Sequence, residues 1–94
     1  MVHILVHHNV KDFEAWKAHF NKHSSFRAQN GSKGGKVFQS MSNPNEVFVL
    51  LEWESYESAQ KFSQSPNLRE VMMEAGVVGM PEMYFDKDAA ATSV

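Results

Sequence analysis

Histidine is the residue type in this chain best suited to proton chemistry at neutral pH, because its imidazole titrates at about 6.5 and both gives and takes a proton. Five are present: His3, His7, His8, His19 and His23. His7 and His8 sit in a run of β-formers, VHILVHHNV, where consecutive side chains point to opposite faces, so one cavity receives only one of them. Either is a candidate general acid or base. Asn9, at the exit of the run, is a candidate donor to a carbonyl or peroxide oxygen. A structural role competes in each case: the histidines as hydrogen-bonded or interface residues, Asn9 as a turn residue closing on its own backbone.

Metal chemistry has less support. A site needs three or more converging ligands, and His19 with His23 is the only histidine pair at helical spacing, with no acid on the same face to complete it. No metal site is therefore expected. The chain has no cysteine, which excludes disulfides and thiolate nucleophiles. The glycines at 31–35 follow neither a phosphate-loop nor a dinucleotide pattern, and neither HExxH nor a nucleophile elbow occurs.

Aromatic residues supply the other candidates. Trp16 and Phe20 recur on one helical stripe, Phe62 lies on a second, and Trp53 ends an apolar strand. They read either as core or as the wall of a site for a planar ligand. Met72 continues the apolar side of the later helix as an adaptable filler. Arg27, late in the first helix, caps the helix end, pairs with Asp12 or with a glutamate across the dimer, or holds an anionic group. The candidate ligand-binding set is thus Trp16, Phe20, Arg27, Trp53, Phe62 and Met72.

These side chains need elements to position them. Val2 to Val10 predicts a strand, and Asp12 caps a helix whose stripe, Phe13, Trp16, Phe20 and His23 or Ser24, runs to about Asn30. The glycines at 31–35 break the chain before a short strand from Lys36 to Ser42. Asn43-Pro44-Asn45 then turns it into a hairpin with EVFVLLEW, Glu46 to Trp53. Ser55 caps a second helix, Ser65-Pro66 restarts it, and Gly76 stops it. Val77 to Phe85 is a last strand, which Pro81 assigns to an edge or bulge. The order strand, helix, strand, strand, helix, strand is the ferredoxin-like split βαβ arrangement: an α+β fold with a four-stranded antiparallel sheet and two helical regions on one face.

EVFVLLEW is apolar on both faces, so both need cover, and a chain of 94 residues has helix enough for one. The expected second cover is another copy of the chain, giving a homodimer through the sheet faces. Residues 1–86 form the single domain and 87–94 a flexible tail. The formal charge of -2 and the absence of a basic run argue against nucleic acid. No leader pattern and no apolar run of membrane length is present, so no membrane association and a cytoplasmic location are expected.

The chain from residue 2 to 86 resembles the dimeric α+β barrel family that includes the antibiotic-biosynthesis monooxygenase-like proteins. The likeness lies in the first strand running into DFEAWKAHF, a helix carrying Arg27, the glycine-rich loop, the VFQS strand, NPNEVFVLLEWES, the SPNLREVM helix and a closing AGVVGMPEMYF. It implies a dimeric barrel and a ligand cavity in each subunit between sheet and helices. The relatives include cofactor-free oxygenases of aromatic polyketides, haem-degrading enzymes, lactone isomerases and small-ligand binders. In the haem-degrading relatives an asparagine is placed like Asn9, but their haem-ligating histidine falls near Met72 or Met73 here, so no cofactor is expected. The expected function is a cofactor-independent monooxygenase-like activity on a small aromatic or quinone-like substrate. The alternatives are a non-catalytic binder of a small hydrophobic molecule and a purely structural dimer, its cavity filled by Met72, Met73, Met80 and aromatic side chains.

Overall fold

A computed structural model describes residues 1–93 of the chain. Alternation of side chains builds its central strand, β1 (Val2–Val10): Ile4, Val6, His8 and Val10 are buried on one face, while His3, Leu5, His7 and Asn9 occupy the other. The hairpin partner β3 (Glu46–Trp53) repeats the pattern, burying Val47, Val49, Leu51 and Trp53 and turning Phe48, Leu50 and Glu52 outward. The antiparallel register pairs Ile4 with Leu51 and Val6 with Val49, so the buried sets meet. With β2 (Ser32–Gln39) and β4 (Val77–Lys87) the sheet order is β2-β3-β1-β4, the ferredoxin-like topology. Pro81 lies in β4, an edge strand, where a missing N–H is tolerated.

Four helices cover the buried face: α1 (Phe13–Lys22), α2 (Ser24–Gln29), α3 (Tyr56–Ser63) and α4 (Pro66–Glu74). Asp12 caps α1 by accepting from the Ala15 N–H at 2.9 Å, and Ser55 caps α3 by accepting from Ser58. Pro66 opens α4 in the first turn, where proline fits. The core between the layers is Ile4, Val47 and Trp53, each almost fully buried, with Trp16, Ala59 and Phe62 descending from the helices. Phe62 seals Trp53, ring centroids 4.7 Å apart.

Two local departures from the sequence expectation have physical causes. The first helix does not run unbroken to Asn30. It is interrupted at His23, whose φ of -97 and ψ of 13 leave the helical region. The His23 ring takes the His19 carbonyl at 2.9 Å, and the Arg27 guanidinium takes the Phe20 carbonyl at 2.7 Å, so side chains compete for acceptors of the helix's last turn. The second departure is β2, which begins at Ser32 inside the glycine run instead of after it and ends at Gln39, leaving Met41 fully exposed. Gly35 lies so close to the Leu50 carbonyl that a Cβ there would collide with it, so the glycine permits the strand to pair. At the other end, β4 continues to Lys87, and 88–93 carries no helix or strand. Val94, the last residue of the expected tail, lies outside the described residues.

Candidate active site

Adjacent residues of β1 have opposite environments. His8, on the helix side, is 5% exposed, and its Nδ1 has no hydrogen-bond partner among the described residues. Its ring meets Trp16 edge-on at 5.5 Å. Burial disfavours the charged form and lowers the His8 pKa, so the imidazole is neutral at pH 7. A neutral, desolvated imidazole is a proton acceptor.

Above His8 the helices supply a wall. Trp16 stacks on Phe20 at 5.0 Å, and the Arg27 guanidinium carbon lies 3.7 Å from the centre of the Phe20 ring. His19, His23 and Arg27 follow one another at four-residue steps and are half-buried. The His19 Nδ1 is also buried and unpartnered, whereas the His23 Nδ1 donates to the His19 carbonyl. Burial lowers the Arg27 pKa from its usual value, yet a guanidinium stays charged in a protein.

Between sheet and helices is a cavity of about 70 Å³. A buried water needs roughly 10–15 Å³ on such a measure, so the space takes several waters or the leading ring of an aromatic ligand. Of the candidates named from sequence, His8, Trp16, Phe20, Arg27, Phe62 and Met72 all line it. His19, His23 and Phe26 line it too and were not among those candidates; the four-residue spacing from His19 to Arg27 is the signal that points to the two histidines. Met73 and Met80, the proposed cavity fillers, are exposed at 70% and 82%.

Three candidates stand elsewhere. Trp53 is wholly buried beneath Phe62, in the core beyond the cavity wall. His7 and Asn9 lie on the open face of the sheet. There the His7 ring lies flat on Phe48, centroids 4.5 Å apart and planes 7° apart. Its Nε2 and Nδ1 reach Glu46 and Glu82, each at 2.8 Å, and the Tyr84 hydroxyl donates to Glu82 at 2.9 Å. The hydrogen bonds to Glu46 and then Glu82 raise the His7 pKa. Those from Tyr84 and then His7 lower that of Glu82.

Among the described residues no group of three or more His, Cys, Asp or Glu side chains is placed to hold a metal ion. No helix among them is long and apolar enough to cross a membrane.

A split βαβ sheet with a cavity under its helices is a frame shared by many activities, and sequence similarity narrows it. Residues 1–73 match the family described as antibiotic biosynthesis monooxygenase, and the chain belongs to that family. Solved structures agree on the fold. A protein of Bordetella bronchiseptica, named for the same family, has a TM-score of 0.80 at 14% identity, over 95% of this chain and 97% of that one. SnoaB, a cofactor-independent oxygenase from Streptomyces nogalater, has a TM-score of 0.78 at 11% identity, over 99% of this chain and 97% of its own. Rv0793 from Mycobacterium tuberculosis has 0.70 at 13%, over 98% of each. No curated protein matches the chain.

Proposed function

We propose that this protein is a cofactor-independent oxygenase acting on a small aromatic, quinone-forming substrate in the cavity between sheet and helices. The observation that carries the reading is His8: a buried, neutral imidazole whose Nδ1 has no partner among the described residues and whose side chain lines an apolar cavity. Family membership supports it, as does the likeness in fold to SnoaB. In the reaction, His8 takes the proton released when a phenolic substrate ionises, and the desolvated cavity places the resulting negative charge on a ring carbon. That carbon, which bears one hydrogen, adds dioxygen, and the hydroperoxide loses water. One oxygen atom stays as a carbonyl, the other leaves as water, and the substrate supplies the electrons. Trp16 and Phe62 line that space and supply aromatic surface beside which a planar ring would pack.

The test is oxygen uptake by the purified protein with a panel of anthrones and dihydroxynaphthalenes. Consumption above the protein-free control, lost in His8→Gln, is expected. No consumption with any member of the panel removes the reading.

The assembly proposed with it is a homodimer stacked sheet to sheet. Its support is the open face, where Leu5, Phe48 and Leu50 are only half-buried and Phe38 and Tyr84 are 47% and 52% exposed. An apolar sheet face of this kind is costly to leave in water.

A further inference from the structure

The ionisable side chains that line the cavity are all basic. His8, His19, His23 and Arg27 contribute to its wall, and no aspartate or glutamate does, in a chain whose formal charge is -2. Arg27 is half-buried and makes no ion pair with a carboxylate among the described residues. One N–H of its guanidinium donates to the Phe20 carbonyl at 2.7 Å, and the remainder of the fork has no protein acceptor among those residues. His8 and His19 each present a buried ring nitrogen without a partner. A partly desolvated cation without a counter-charge and an orphaned ring nitrogen are each unfavourable, and an acidic ligand seated beside Arg27 and His19 relieves both there.

We propose that the cavity selects a small aromatic carboxylate. The carboxylate seats on the free part of the Arg27 fork beside His19, a planar pairing that guanidinium makes and an ammonium does not. The ring then lies among Trp16, Phe62 and Met72, with its far edge toward His8. This rests on the reading that the cavity is the ligand site, but not on the reaction proposed there. Arg27 is a specificity residue in this scheme, and its other contacts, the Phe20 ring and carbonyl, hold the fork in place.

Calorimetric titration of the full chain with benzoate and 1-naphthoate, set against benzamide and 1-naphthamide, tests it. Saturable binding at one site per chain is expected, with the acid roughly tenfold to a hundredfold tighter than its amide. In Arg27→Gln the preference disappears. Arg27→Lys, which keeps the charge and loses the fork, retains only part of it. Should Arg27→Gln fail to fold by circular dichroism, the acid-to-amide ratio of the unaltered protein and the lysine variant still decide. Equal affinities, a preference for the amides, or no binding of either at millimolar concentration overturns the proposal. Oxygen uptake from neutral anthrones without acid preference leaves the oxygenase standing and removes this inference. Acid preference without oxygen uptake does the reverse.

Discussion

His7 and His8 share a peptide bond but not an environment: the His7 ring stacks on Phe48 at 4.5 Å on the open sheet face, and the His8 ring meets Trp16 at 5.5 Å beneath the helices. Opposite shifts follow. Carboxylate partners raise the pKa of His7, and burial lowers that of His8. At neutral pH the strand therefore favours protonation at one residue and disfavours it at the next.

The His7 cluster makes stability depend on pH. Because its native pKa is raised, its stabilising contribution is complete below the unfolded value of about 6.5 and is lost as pH rises through the native value. Glu82, held low by Tyr84 and His7, contributes above its unfolded value of 4.5 and loses that contribution as pH falls through its lower native value. Both act fully between about pH 4.5 and 6.5. In thermal melts the difference between the unaltered protein and His7→Gln is expected to be largest in that window and to narrow by about pH 9. A difference unchanged from pH 6 to 9 would show that the charge on His7 contributes nothing.

His8 separates stability from activity. Its buried Nδ1 has no partner, so His8→Leu removes an unsatisfied polar group and is expected to leave the melting temperature equal or higher. The same variant loses the proton acceptor, and oxygen uptake is expected to fall about a hundredfold or more. Parallel losses of stability and activity would mean that His8 serves only packing.

Assembly is tested at Leu50, on the open face beside β1 residue Leu5. Light scattering of the unaltered protein at micromolar concentration is expected to give twice the chain mass of 10.7 kDa, and Leu50→Glu to give the monomer mass. A monomer before any substitution overturns the dimer.

Gly35→Ala places a Cβ against the Leu50 carbonyl, a backbone atom that moves only if the β2–β3 pairing opens. Denaturant titration is expected to show a loss of about 1–3 kcal/mol, toward the upper end. A loss below about 0.5 kcal/mol would show that β2 shifts freely.

The fold was largely legible because its strands alternate. EVFVLLEW and VHILVHHNV carry the period, and the cap residues Asp12 and Ser55 marked two helix starts. Which face lies bare was not legible from β3 alone, since both faces are apolar; pairing with β1, where Ile4 and Val6 share a side with His8, decides it. The break at His23 escaped because it depends on side chains capturing backbone carbonyls, which helical periodicity does not record. Trp53 read first as core, with ligand wall left open, because strand position fixes its face but not the depth at which Phe62 closes over it. His19 and His23 were visible as a spaced pair, but their spacing was weighed for a metal and not for a cavity that also contains Arg27.

The interruption at His23 has an evolutionary consequence. The helix-borne basic groups of the cavity all come from residues 19–27, a stretch that straddles the break and supplies no strand pairing. The proposed ligand preference is thereby separable from the scaffold. Exchanging that stretch with the corresponding stretch of a relative would alter the lining of the cavity while leaving the sheet and its open face unchanged.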